Sequence, residues 1–448
     1  METFGIMQYE DPPSAVPTTA KQDGEVRLRW SWAERAVWTE RMLTALEQGV
    51  KGGCWFSLMD KVEAPRNLLA AAQRVVRNRG AAGVDHVTVR DFGVRLEEEL
   101  PKLSQQLRDG TYRPQAVRRV HIPKPGSNET RPLGIPTVRD RTVQAAVVNV
   151  LEPIFEREFA EQSYGFRPGR GCKAALRRVD QLLKAGYVHV VDADLKSYFD
   201  TIPHDRLLTR LKERIGDGRV LSLIESFLKA GILDGLSAWT PESGAPQGAV
   251  LSPLLSNVYL NPLDHAVAQA GFELVRYADD FVILCRTADE ARQALELVRS
   301  WTAANGLTLH PEKTKIVDER TEGFEFLGYR FVKHRRFPRR KSLAKFKEAI
   351  RSKTKRTSGD SLTSIVTRLN PTLRGWFAYF QHSSYRSTFA GLDGWVRMRL
   401  RSLLRKRAGR QGRGRGRDHQ RWPNAYFVGH GLYSLATAHD LAVQSSRR

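Results

Sequence analysis

Residues 272–286 read FELVRYADDFVILCR. Two apolar runs flank Ala278, Asp279 and Asp280, the pattern of a hairpin whose turn lifts two carboxylates out of a hydrophobic sheet. Adjacent carboxylates repel unless a divalent cation or a proton neutralises them. An Asp-Asp pair alone also fits a solvated turn, so its surroundings decide. A third acid, Asp194, ends the apolar strand of YVHVVDADLKSYFD (187–200). Laid beside the hairpin, that strand would bring three carboxylates to one edge. Such a trio suits two magnesium ions about 3.5–4 Å apart, the arrangement that activates a 3′-hydroxyl and stabilises a departing pyrophosphate.

Further out, IPHDRLLTRLKERI continues from the Asp194 strand as an amphipathic helix. SGAPQGAVLSPLLSNVYLNPLDHAV (243–267) opens with a glycine turn and becomes helical from Leu251. VRRVHIPKPGSNETRPLGIPT (117–137) alternates apolar and polar residues about PKPGSN, predicting a hairpin with a basic face. Helical spacing covers Asn67–Val76 and is broken by Gly80 and Gly83. Past Arg330 the chain turns strongly basic, with HRRFPRRK at 334–341, and then helical. Leu369, Leu373, Trp376, Phe377 and Phe380 share one helical face.

The 448 residues carry 72 basic against 49 acidic side chains, a net charge of +23 that favours polyanion partners, nucleic acid ahead of a membrane surface. No run of about 18 apolar residues and no signal-peptide pattern occurs, so a soluble, intracellular protein without a membrane partner is expected. Cys54, Cys172 and Cys285 lie far apart with no CxxC or Cys/His cluster, which predicts reduced thiols and no structural zinc. Residues 1–30 read as a loosely packed leader, and the Gly/Arg stretch AGRQGRGRGRD (408–418) as a flexible linker.

YADD resembles the metal-binding signature of reverse transcriptases. The resemblance extends, in order, through RPLGIPTVRDRTVQ, SYGFRPGRG, DADLKSYFD, GAPQGAVLSPLLSNVYLN, RYADDFVIL, GLTLHPEKTKI and FEFLGYRF. With RGAAGVDHVTV upstream and LNPTLRGWFAYF downstream, the set is similar to bacterial group II intron-encoded reverse transcriptase/maturases over roughly 65–435. The resemblance implies an α+β fold: right-hand polymerase fingers and palm with an α-helical thumb or maturase domain. Its divisions here are an N-terminal extension (1–60), fingers and palm (61–335), the helical thumb (336–410) and a basic C-terminal segment suited to DNA (411–448).

By position, the resemblance makes Asp194, Asp279 and Asp280 the ligands of two Mg2+ ions, with Asp192 behind them. Phe199 falls where the family excludes a 2′-hydroxyl. Lys124 and Arg131 match finger residues that grip the triphosphate, Gln247 and Gly248 contacts to the nascent base pair, and Lys313 a late-palm lysine near the pyrophosphate. Basic helices and Arg335, Arg336, Arg339 and Arg340 would bind RNA. The implied partners are intron RNA, an RNA template with a DNA primer, deoxyribonucleoside triphosphates and target DNA, in a bacterial cytoplasm. A paired Cys/His endonuclease is not expected, and WPNAYFVGHGLYSLATAHDLA is similar to the family's closing element. Two rivals remain: a related reverse transcriptase of a defence or CRISPR system, and an RNA-binding maturase whose polymerase is idle.

Overall fold

The computed structural model describes residues 23–123 and 130–445, which fall into two compact units. The first takes the chain up to Gln115 together with 136–158 and 208–227. Its axis is the helix Val138–Glu156, buried over nearly its whole length, with the polar Asp140, Arg141, Gln144 and Asn149 buried alongside its apolar residues. Thr137 caps it by accepting from the Asp140 amide at 3.0 Å. Helix Pro65–Arg77 lies against it through two amides: Asn67 donates to the Ala146 carbonyl at 3.0 Å, and Asn149 donates to Asn67 Oδ1 at 2.9 Å.

Of the expected leader, 1–30, residues 1–22 lie outside the described residues. Residues 23–29 are helical, and Arg29 forms a fork with Glu47 on helix Glu40–Gln48. Trp38 is buried and its indole donates to the Asn149 carbonyl at 2.9 Å. Its apolar body with one polar handle gives this segment a place in the core that polar composition conceals.

The second unit holds every strand among the described residues: β1 (Val117–Pro123), β2 (Thr130–Ile135), β3 (His189–Asp194), β4 (Ile232–Asp234), β5 (Ser237–Trp239), β6 (Glu273–Tyr277), β7 (Asp280–Cys285), β8 (Lys315–Asp318), β9 (Phe324–Phe326), β10 (Tyr329–Val332) and β11 (Arg335–Pro338). They form sheets of order β2-β1-β4-β5, β6-β7-β3-β8 and β11-β10-β9. The expected basic hairpin is β1 against β2, antiparallel from Arg118 opposite Ile135 to Pro123 opposite Thr130. In the middle sheet, Val190, Val275, Val282, Leu284 and Val317 bury against Ala175, Leu176 and Val179 of helix Cys172–Lys184. Side chains two apart on a strand share a face, so Asp192 and Asp194 continue the Val190 row of β3 and Asp280 the Val282–Leu284 row of β7, and the acids come together where these two central strands end.

The helical part of this unit packs Ile365, Leu369, Leu373 and Phe377 of Leu362–Phe380 against Phe389, Val396 and Leu400 of Arg386–Arg407. Beyond the Gly/Arg stretch, Trp422, Phe427 and Leu435 enter the same core, and Arg401 donates to the Trp422 carbonyl at 2.9 Å. The stretch itself has no helix or strand over 410–415, and its end is tied down where Arg405 pairs with Asp418 at 2.6 Å. Leu369 is fully buried. Leu369→Ala should therefore destabilise this helical core by about 2–5 kcal/mol, read as a lower urea midpoint by tryptophan fluorescence.

Candidate active site

Arg276 interrupts the apolar run of strand β6 and is wholly buried with its partner Asp264 of helix Ser252–Gln269. Its guanidinium donates to Asp264 through Nε at 2.7 Å and Nη2 at 2.5 Å, to Asn257 Oδ1 at 3.0 Å and to the Ala278 carbonyl at 2.9 Å. Asn257 in turn donates to the Gly165 carbonyl at 2.8 Å. The β6–β7 turn, two residues long with Tyr277 opposite Asp280, is thereby tied to a helix and to the loop 163–167. Ala278 has φ 60°, a left-handed value that favours glycine, and the Arg276 bond to its carbonyl helps hold it there. Gly165 lies so close that an added Cβ would stand 2.3 Å from the Ala278 nitrogen.

On this frame β3 runs antiparallel to β7 with Asp194 directly opposite Asp280, and Asp279 is the turn residue beside them. Burial, then repulsion from Asp192, Asp279 and Asp194, pushes the Asp280 carboxyl up to about 7. Burial also raises Asp279, against which the Arg131 and Arg276 charges act. Asp192, opposite Lys315 on β8, is pushed up to about 6, chiefly by burial. The Asp194 carboxylate is held by Lys313 Nζ at 2.7 Å. Among the described residues no three acid, His or Cys side chains already stand in a metal-binding cluster. The donor chemistry nevertheless fits a hard divalent cation: carboxylate oxygens crowded at a cost that cationic charge relieves. Lys313 takes up Oδ2 of Asp194, and the carboxylate keeps a second oxygen for such a set.

A cleft of about 470 Å³ is lined by Phe199, Asp200, Gln247, Arg119 and Trp239 among others. Phe199 is half-buried and meets Tyr198 edge-on at 5.4 Å. The Gln247 carbonyl accepts from the Gly134 amide at 2.7 Å, which ties its loop to β2. Gly248, at φ 106°, has no room for a Cβ, since one would lie 2.7 Å from the Gly134 carbonyl oxygen. Arg131 is exposed on β2. Lys124 lies outside the described residues.

The basic stretch is less free than its composition implies. Arg336 pairs with Asp180 at 3.2 Å and donates to the His382 carbonyl at 2.5 Å; Arg339 stands 3.8 Å from Glu325. Arg335 lies over the Tyr385 ring at 4.9 Å, while Arg340 is exposed at the start of helix Arg340–Lys353. Sequence reasoning also missed the Arg276–Asp264–Asn257 network and the Arg119–Trp239 pair at 4.8 Å. Only a charge interrupting the apolar run LVRY marked Arg276 in advance.

Removing one member of a buried pair leaves the other charged and desolvated. Asp264→Ala should cost about 3–5 kcal/mol of stability. The double replacement Arg276→Met/Asp264→Leu should cost clearly less than the single one, measured by chemical denaturation. Equal destabilisation would show that the pair is not coupled.

Residues 122–331 match the family described as "Reverse transcriptase (RNA-dependent DNA polymerase)", and 343–422 match "Group II intron, maturase-specific domain". The chain is 35% identical over 325 residues to Protein YkfC of Escherichia coli (strain K12), covering 62% of this chain and 83% of that protein. To the group II intron-encoded protein LtrA of Lactococcus lactis subsp. cremoris it is 43% identical over 201 residues, which is 44% of this chain but only 33% of LtrA. A solved "Partial Cas6-RT-Cas1--Cas2 complex" aligns over 55% of this chain and 41% of that one at 26% identity, with a TM-score of 0.36 that is too low to bear on function. No helix among the described residues is long and apolar enough to cross a membrane. With the polymerase match over the acidic hairpin and the maturase match over the helices beyond it, the chain belongs to the RNA-directed DNA polymerases of the group II intron-encoded reverse transcriptase/maturase family.

Proposed function

We propose that the protein extends a DNA primer on an RNA template by two-metal nucleotidyl transfer, and assists the splicing and mobility of its group II intron, in a bacterial cytoplasm. The observation that carries this reading is the register of Asp194 opposite Asp280, next to Asp279 on a turn braced by Arg276. Asp194, Asp279 and Asp280 would hold magnesium, which stabilises the attacking and departing oxygens when bound. Asp192 adds negative charge behind them. Lys313, already on Asp194, supplies positive charge where a triphosphate must be neutralised. Arg131 and Lys124 act as the phosphate grip from the finger hairpin. Phe199 presents its bulk in the cleft and excludes a ribose 2′-hydroxyl, Gln247 borders the same space, and Gly248 follows it as a backbone contact to the nascent base pair.

Intron RNA and target DNA are assigned to the basic helical part and to the C-terminal segment. A-form RNA is read through backbone and 2′-hydroxyl contacts, which exposed cations provide. Because Arg336 is engaged with Asp180 and His382, Arg335 and Arg340 are the residues through which to test the basic stretch.

Three measurements check this. Asp279→Ala should reduce Mg2+-dependent primer extension on RNA to background while RNA affinity stays near the parent's; full extension would remove the acid from the site. Phe199→Val should raise ribonucleotide relative to deoxyribonucleotide incorporation by about tenfold or more, the scale of steric discrimination in an apolar pocket. The paired replacement Arg335→Gln/Arg340→Gln should lower intron RNA affinity and the splicing of a precursor. The slope of log K against log salt should fall by about 0.7 for each single-strand phosphate that the variant no longer neutralises. Parent-like binding and splicing would place the RNA surface elsewhere.

A further inference from the structure

Phe166 is an apolar side chain in a costly position. It is 44% exposed and has φ 58°, a conformation that bulky residues rarely adopt. Its neighbours on both sides are anchored. Gly165 is pressed against the acidic turn at Ala278, and the buried Arg167 donates to the Ala160 carbonyl at 2.6 Å and the Ser163 carbonyl at 2.8 Å. The backbone is thus locked on either side, and the ring is directed outward instead of into the core. It stands 6.3 Å from the Tyr277 ring, and Tyr277 is paired with Asp280. Shortly downstream begins helix Cys172–Lys184, which exposes Lys173 and Arg177 one turn apart, with no acid partner among the described residues.

We infer that Phe166 is a contact for the primer strand, its ring packing on the base or sugar of a nucleotide next to the 3′ end. This rests on the polymerase reading above. The 3′-hydroxyl must reach the carboxylates of Asp194, Asp279 and Asp280, so a ring adjoining their turn lies close to the nucleotide that carries it. An aromatic face suits a contact that must accept every base, because each base presents a π-surface. Lys173 and Arg177 supply the phosphate-neutralising charge that such a strand requires.

The test uses the full chain with Phe166→Gly, which tolerates the left-handed backbone but lacks the ring, and Phe166→Tyr, which keeps the ring. Affinity is measured for an RNA template annealed to a recessed DNA primer and for the same RNA alone, in parallel with melting temperature and the KM for deoxyribonucleotide. Phe166→Gly should weaken primer-template binding about tenfold, within the range that removing one stacking aromatic gives. It should leave RNA alone and nucleotide KM unchanged and melt no lower than the parent. Phe166→Tyr should bind as the parent does. Parent-like affinity in Phe166→Gly, an equal weakening for RNA alone, or a weakening explained by a lowered melting temperature would each overturn the assignment. Binding is read without turnover, so failure of the parent to extend a primer would sink the polymerase reading while leaving these arms to decide on Phe166.

Discussion

The Arg276–Asp264 pair fixes how the rest of the palm is arranged. A guanidinium and a carboxylate with no solvent exposure sit among valines and leucines, where desolvation takes back most of what their attraction gives. Such a pair is a poor stabiliser compared with apolar side chains of the same volume, so its value lies in direction. One planar fork addresses Asp264, Asn257 and the Ala278 carbonyl, while the Arg276 backbone bonds to Gln162 and Tyr164. A helix, a strand, a loop and the acidic turn are referenced to one side chain, and misplacing any of them leaves a buried charge or donor unsatisfied.

Electrostatic tension at the acids follows from that placement. Strand pairing forces Asp194 beside Asp280, and burial denies Asp280 much of the water that would screen it. Lys313 and Lys315 answer part of the repulsion from β8 and the segment before it. The remainder appears as upward shifts on Asp192, Asp279 and Asp280. A site that disfavours its own ionised state would gain most from a small, hard cation, and the packing that makes the sheet is what creates that demand.

Much of this was legible because it is local. Alternation about PKPGSN marks the β1–β2 hairpin, and two apolar runs around Ala278–Asp279 mark the turn between β6 and β7. The approach of Asp194 to Asp280 joins positions far apart in the chain; two apolar strands ending in acids made it conceivable, and the family resemblance singled it out. Composition says little about single contacts: inside the expected leader 23–29 form a helix that Arg29 ties to Glu47, and the end of the Gly/Arg stretch is held by Arg405 on Asp418. It also cannot tell a solvated arginine from one already engaged: Arg336 finds its partner in Asp180, on a helix that precedes the whole of the middle sheet.

Backbone strain marks the same place as the charge. Ala278 and Phe166 both adopt left-handed φ without being glycine, and Gly165, wedged where their two segments meet, cannot carry a side chain. Strain of this kind persists only where surrounding contacts over-determine the conformation. Here those contacts are Asn257 on the Gly165 carbonyl, Arg276 on the Ala278 carbonyl, and Arg167 on Ala160 and Ser163. A looser loop would relax both residues, withdrawing the ring and turning Asp279 away from Asp194. The buried hydrogen bonds therefore act mainly as positional constraints, holding an unfavourable backbone so that side chains with no reason to be adjacent in sequence meet at one edge of the sheet.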